Sequence, residues 1–300
     1  MQKMLEVVLV KYLVYGSLNI DYVYRTSHIV EPGETLAAQS MKKFAGGKGL
    51  NQGIALARAG LPVWMAGKLG SNIELPQQAL INSNINTDYL SQDKSLTTGH
   101  TVIQVTSTGQ NSIIYLPGAN ACIKSAEITN VLVNFGKGDV IILQNEINKV
   151  PEIIRSASSQ GMTVAFNPSP FESEIVTYPL DLVDILFVNE TEGKKMTNSV
   201  NPLDILQRIK NLYGINHVVL TLGDRGAMTL FDGEVFKEPA VKVDVIDTTG
   251  AGDTFTGYYL AGLNQTNDCQ TALKLAVRSA GLAVSRPGAA SAIPTLCEVN

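Results

Sequence analysis

The feature that most constrains this chain is a rhythm of short aliphatic runs alternating with stretches of helical length. Val140-Ile141-Ile142-Leu143, Thr163-Val164-Ala165-Phe166, Ile185-Leu186-Phe187-Val188 and Val218-Val219-Leu220-Thr221 are each bounded by polar residues or by Gly and Pro. Uninterrupted apolar runs of this length suit strands buried on both faces, as in a parallel sheet. Residues 148–160, 190–197 and 202–213 between them have helical length and composition. Strand–helix–strand repetition therefore predicts a parallel sheet covered by helices on both sides. Leu9–Tyr15 reads as the first buried strand. Glu6 and Lys11 interrupt the apolar stretch from Met1 to Tyr15, and no small-residue cleavage site follows, so a signal peptide is not expected. No other stretch reaches the uncharged length of a transmembrane helix.

Two segments break the rhythm. Residues 20–44 and 99–117 alternate in polarity, as in Thr101-Val102-Ile103-Gln104-Val105 and Ser112-Ile113-Ile114-Tyr115-Leu116, the latter pair joined through a Thr108-Gly109-Gln110-Asn111 turn. Alternation implies a sheet with one wet face, so both segments are expected in a small antiparallel lid. No low-complexity linker separates them from the rest. One domain spanning 1–300 with an inserted lid is the expected organisation, and 300 residues are enough to bury its core without disulfides or a structural metal.

Charge and reactive residues narrow the function classes. With 23 Lys and Arg against 27 Asp and Glu, the net charge of −4 argues against an overall nucleic-acid footprint. Cys122, Cys269 and Cys297 form no CxxC pair, as expected for reduced thiols in the cytoplasm. His28, His100 and His217 form no HExxH or HxH pattern, which argues against a zinc hydrolase.

Chemistry concentrates in two glycine-rich stretches. Asp247-Thr248-Thr249-Gly250-Ala251-Gly252-Asp253-Thr254-Phe255 follows a strand-like run, Val241 to Val245, and opens a helix reaching about Leu263. Small residues at 250–252 let backbone N–H groups converge at a helix N-terminus, where the dipole favours an anion. Asp253 at that positive end is surplus to phosphate binding. It makes sense as the acceptor of a proton from a hydroxyl attacking phosphorus. Gly46-Gly47-Lys48-Gly49-Leu50-Asn51-Gln52 also precedes a helix. It is neither a Walker A loop nor a GxGxxG turn, yet its glycines permit close approach to a ligand within reach of Lys48 and Asn51.

Polar residues follow five strand runs: Asn19 and Asp21, Glu146, Asn167, Asn189, and Thr221-Leu222-Gly223-Asp224-Arg225-Gly226. Ligands of parallel sheets gather at the carboxyl ends of strands, so these five ends should face one site.

With these motifs in this order, the chain resembles the ribokinase-like (PfkB-type) sugar kinases from about Val14 to Pro294. Gly46–Gln52 and Asp247–Phe255 look like the two family signatures. Gly118-Ala119-Asn120-Ala121, Asn167-Pro168-Ser169-Pro170 and Asn189-Glu190-Thr191-Glu192 are similar to further family segments. The resemblance implies a three-layer α/β/α sandwich with a mostly parallel central sheet and a small antiparallel β lid. It implies ATP-dependent phosphorylation of the primary hydroxyl of a small sugar, ribose giving ribose 5-phosphate.

By the same resemblance, Asn19, Asp21, Gly47, Lys48, Asn51 and Glu146 hold the sugar, and Asp253 is the base. Gly250, Ala251 and Gly252 serve the transferred phosphoryl group. Asn189 and Glu192 face the nucleotide phosphates and Mg²⁺, and Thr221, Gly223, Asp224 and Gly226 line the nucleotide site. Asp247, Thr249, Ala283, Arg286 and Gly288 ring a K⁺ ion, and a homodimer forms through the lid strands. Three positions depart from the family pattern: Ala292 near the cation, Val277 near the adenine, and Ser71-Asn72-Ile73-Glu74 after Gly70. The residues leave open another pentose, a hexose or a nucleoside as acceptor, or a non-catalytic sugar sensor. Retention of Asp253 argues against the sensor, since binding alone needs no base.

Overall fold

The structure is a computed structural model that describes residues 10–299. Its first strand, β1 (Tyr12–Tyr15), is buried throughout; Leu9, expected to begin it, lies outside the described residues. After β2 (Asn19–Thr26) and β3 (Ser40–Gly46), helix α1 (Lys48–Arg58) returns the chain to β4 (Val63–Leu69). Helix α2 (Glu74–Asn82) leads to β5 (Asn86–Gln92), then β6 (Gly99–Thr106) and β7 (Asn111–Leu116). The predicted rhythm follows: α3 (Ser125–Leu132), β8 (Val140–Gln144), α4 (Val150–Ser159), β9 (Thr163–Asn167), β10 (Ile185–Asn189), α5 (Glu190–Thr197), α6 (Pro202–Tyr213) and β11 (His217–Thr221). A hairpin of β12 (Ala227–Phe231) and β13 (Glu234–Glu238) precedes α7 (Ala251–Thr266) and α8 (Cys269–Val284).

Nine strands form one sheet in the order β13-β12-β11-β10-β9-β8-β1-β4-β5. From β5 to β11 every pairing is parallel, and at the edge the two pairings of β11 with β12 and β12 with β13 are antiparallel. Alternate residues of each strand feed opposite faces. Leu13, Ile141, Val164, Leu186 and Val218 pack under α3 to α6. Val14, Ile142, Ala165, Phe187 and Val219 pack under α1, α7 and α8. Two apolar layers on one sheet make the three-layer α/β/α sandwich that the strand pattern predicts.

The smaller sheet has the order β3-β2-β6-β7. Its two outer pairings are antiparallel, and the central one, β2 with β6, is parallel from Asn19–Gly99 to Thr26–Thr106. Both central strands start beside the main sheet's carboxyl edge and leave it in the same direction, which fixes that pairing. The segment between β2 and β3, residues 27–39, is irregular.

Val241 to Val245 is corrected by the structure: it is an exposed irregular loop, with Val245 63% exposed. Pro239 follows β13 directly and removes a ladder donor, and the sheet ends at β13. The β-branched run has no partner strand, so its propensity goes unused. The hairpin that takes the edge turns at Asp232 (φ 48°) and Gly233 (φ 92°), a left-handed pair that an Asp-Gly dipeptide permits. No helix among the described residues is long and apolar enough to cross a membrane.

Candidate active site

The five strand ends that carry polar residues belong to β1, β8, β9, β10 and β11, which lie side by side in the sheet. The chain leaves β1 for β4 and β5 on one side and fills the other side with β8 to β11. The crevice between β1 and β8 is therefore the switch point of strand order, where ligands of open parallel sheets bind.

Two loops and one helix meet there. Gly49 packs so closely on the turn after β1 that a Cβ would lie 2.5 Å from the Ser17 nitrogen. Gly47 adopts φ 96°, a left-handed conformation that starts α1 at this point. Ser17 Oγ donates to Glu146 Oε2 at 2.5 Å, and the Lys48 backbone N–H donates to the same oxygen at 3.0 Å. Glu146 thus sits against the first amide of α1. Burial nevertheless pushes its carboxyl up, against the lowering effect of Lys48 and Ser17.

On the other side, Asn120 Nδ2 donates to Asn19 Oδ1 at 2.7 Å, and Thr101 Oγ1 donates to Asp21 Oδ1 at 2.5 Å. Burial also raises Asp21, with Thr101 opposing. At Gly46 a Cβ would lie 2.0 Å from Asp21 Oδ2, so a larger residue there would displace that carboxylate.

Asp253 is 6% exposed on the first turn of α7. Its Oδ2 accepts from Asn51 Nδ2 at 3.0 Å, and its Oδ1 accepts from Gln52 Nε2 at 3.0 Å. Burial alone would lower the Lys48 ammonium, but Asp253, Glu146 and Glu192 surround it and hold its pKa above the usual range. Asn51 Oδ1 is buried with no partner among the described residues, which leaves an acceptor free at the site. The arrangement joins a buried carboxylate, a lysine and a set of short polar side chains, which suits a small polyhydroxylated molecule.

Beyond the start of α7 lies a cavity of about 620 Å³, within the ordinary range for ligand sites. Thr221, Gly223, Asp224 and Gly226 line it, together with Ala251 and Gly252 at the helix N-terminus. Val277 of α8 and Val241, Val243 and Val245 of the loop give it apolar walls. Gly250 caps α7 at φ 74°, and a Cβ on Gly252 would meet nothing within 4 Å. The α7 amides therefore open directly onto the cavity.

Asn189 and Glu192 form a capping box at α5: Glu192 N–H donates to Asn189 Oδ1 at 2.9 Å and Asn189 N–H to Glu192 Oε2 at 3.0 Å. Asn189 is exposed, whereas Glu192 is 5% exposed and acts on Lys48. Asp247 and Thr249 share one turn, which Gly288 meets from the segment after α8. Thr249 donates to Asp247 Oδ1 through N–H (2.9 Å) and Oγ1 (2.6 Å), and the Gly288 N–H reaches Oδ2 at 2.9 Å. Burial pushes Asp247 up, and these three donors outweigh it and hold its carboxyl low. The Ala283 carbonyl accepts from the Arg286 N–H at 3.1 Å, and the Arg286 side chain pairs with Glu298 at 2.8 Å. Ala292 is buried and brings no side-chain oxygen.

Sequence reasoning passed over Ser17, Gln52, Thr101, Asn120 and Gln144 as site residues. A signal existed for three of them: Gln52 lies inside the first glycine stretch, Asn120 inside the Gly118–Ala121 segment, and Gln144 is a polar residue closing an otherwise apolar buried strand.

Residues 10–296 match the family described as pfkB family carbohydrate kinase. The chain is 32% identical to the ribokinase of Staphylococcus aureus (strain COL), covering 97% of this chain and 98% of that protein. It is 30% identical to the deoxyribokinase of Salmonella typhi, covering 96% of each. The structure of Arabidopsis thaliana ribokinase complexed with ribose and ATP superposes with a TM-score of 0.85 at 28% identity, covering 97% of both chains.

Proposed function

Because the chain belongs to the pfkB family of carbohydrate kinases, we propose that it transfers the γ-phosphoryl group of ATP to the primary hydroxyl of ribose, giving ribose 5-phosphate. The observation that carries this reading is Asp253, a buried carboxylate on the α7 N-terminus between a sugar-sized polar cluster and a nucleotide-sized cavity. The ribokinase relative and the ribose- and ATP-bound neighbour support the substrate pair. The deoxyribokinase relative supports 2-deoxyribose as a second acceptor reading.

In this reading Asn19, Asp21, Gly47, Lys48, Asn51 and Glu146 hold the sugar hydroxyls. Asp253 takes the proton as the sugar O–H bond breaks. The new O–P bond forms in line with cleavage of the γ-phosphoryl bond, whose electron pair leaves with ADP. Gly250, Ala251 and Gly252 direct amide hydrogens at the charge on the transferred group, and Lys48 adds a fixed cation. Thr221, Gly223, Asp224 and Gly226 border the nucleotide, whose purine suits the valine-lined walls.

Mg²⁺ needs hard oxygen donors and commonly takes one or two carboxylates beside the phosphates, so buried Glu192, oriented by Asn189, fits it. When bound, it would neutralise phosphate charge. A carboxylate kept anionic at Asp247 fits K⁺, with Thr249, Ala283, Arg286 and Gly288 as its partners, several through carbonyl oxygens. A homodimer through the smaller sheet is part of the reading. Edge strand β7 exposes Ile113 (56%), Ile114 (65%) and Leu116 (48%), more apolar surface than an isolated edge tolerates. Cys122, Cys269 and Cys297 are free thiols, which suits a cytoplasmic enzyme.

The test is ADP release with ribose, 2-deoxyribose, hexoses and nucleosides compared by kcat/KM. Ribose should give the highest value; a higher value for any other acceptor overturns the assignment.

A further inference from the structure

Gln52 is fully buried, one position beyond Asn51 in the first turns of α1, and its amide is used at every atom. Its Nε2 donates to Asp253 Oδ1 at 3.0 Å and to Asn167 Oδ1 at 3.4 Å, and its Oε1 accepts from Gln144 Nε2 at 2.7 Å. Asn167 is oriented in turn, because its Nδ2 donates to the Phe187 carbonyl at 3.0 Å. The chain of amides is therefore anchored on three adjacent strands, at the last residues of β8 and β9 and at mid-strand Phe187 of β10.

This network has one direction. A backbone carbonyl cannot donate, so Asn167 must turn its NH₂ toward Phe187 and its oxygen toward Gln52. Gln52 then presents NH₂ to both Asn167 and Asp253 and turns its oxygen to the Gln144 amide. Reversing it would set its oxygen against two acceptors in a buried site, which is costly. Asp253 Oδ1 accordingly receives a hydrogen bond whose donor cannot rotate away. Among the described residues, Oδ2 is held by Asn51 alone, whose own Oδ1 is buried without a partner.

Resting on Asp253 as the base, we infer that Gln52 is a positioning residue: it clamps Oδ1, fixes the carboxylate rotamer, and assigns proton acceptance to Oδ2. Gln144 acts through Gln52. Gly16 leaves the room for this, since a Cβ there would lie 2.2 Å from Gln144 Oε1. The clamp is a neutral amide donor, so it holds the carboxylate without competing for the proton, as an acidic neighbour would.

The experiment compares wild type, Gln52→Leu, Gln52→Glu, Gln144→Leu and the double variant Gln52→Leu/Gln144→Leu, with Asp253→Asn in the same assay. Loss of one hydrogen bond to a charged group predicts about a 10- to 100-fold fall in kcat for Gln52→Leu, with sugar KM nearly unchanged. Gln52→Glu sets a second carboxylate beside Asp253, so the acidic limb of its kcat–pH profile should move upward. The double variant should be no worse than Gln52→Leu alone, because Gln144 has no other route to Asp253. Unchanged kcat in Gln52→Leu overturns the inference, as does a loss confined to KM, an unmoved acidic limb in Gln52→Glu, or strict additivity in the double variant. Wild type without phosphoryl transfer, or an Asp253→Asn variant with normal turnover, would overturn the reading of Asp253 instead.

Discussion

Asn51 and Asp253 are 202 residues apart in the chain and meet through a 3.0 Å bond from Asn51 Nδ2 to Asp253 Oδ2. That bond ties the first turn of α1 to the first turn of α7. The helix that begins at the sugar side is thereby fixed against the helix whose amides face the nucleotide cavity.

Asp253→Asn should lower kcat by about 10²- to 10⁴-fold, the range for removal of a general base. Sugar binding by calorimetry should change little, since Asn19, Asp21 and Glu146 remain. Near-normal turnover would exclude Asp253 as base.

Glu146→Gln should weaken sugar binding by about 10- to 100-fold through loss of a charged acceptor. Its effect on the unliganded protein runs the other way. Burial raises the folded-state pKa of Glu146 above its ordinary 4.5, so the folded state binds the proton more tightly and loses stability as pH rises through that window. Thermal melts should show the variant gaining Tm relative to wild type as pH rises above 4.5, with the gain vanishing below it. A loss of Tm at neutral pH would contradict the burial argument.

Asp247→Asn has the opposite pH signature. Its folded pKa is lowered below the ordinary 3.8 by the Thr249 and Gly288 donors, despite burial. The stability it contributes is present above 3.8 and disappears as pH falls through the lower folded value. The Tm gap between wild type and variant should therefore close in acid. The same variant should lose K⁺ activation in rate measurements; equal wild-type rates in Na⁺-only and K⁺ buffers would count against the cation site.

Two glycine substitutions separate packing from binding. Gly49→Ala drives a Cβ to 2.5 Å from the Ser17 nitrogen and should cost about 1–3 kcal/mol of stability. Gly252→Ala meets no atom within 4 Å and lies on a helix, so stability should hold or rise by about 0.5–1 kcal/mol. Its methyl faces the cavity, and the KM for ATP should rise. Equal melting curves for the two variants would refute the contrast.

Ile114→Lys, on the exposed edge strand β7, should yield a monomer in light scattering without lowering Tm. A variant that keeps the wild-type mass would remove this edge as the interface, as would a wild type that is itself monomeric.

The sequence by itself determined the buried parallel strands, the helices over 190–197 and 202–213, and the two glycine-rich helix entries. These signals are local: residue burial repeats at a period of two or 3.6, and glycine and helix N-termini act over a few residues. Tertiary structure alone decided which polar side chains meet. Gln144 and Gln52 are 92 residues apart, and Gln52 and Asp253 are 201 apart, so no local pattern pairs them. It also left Val241 to Val245 without a partner strand and made the central pairing of the smaller sheet parallel. A strand exists only where another edge supplies its hydrogen bonds, and a buried amide finds its role only where folding sets an acceptor in front of it.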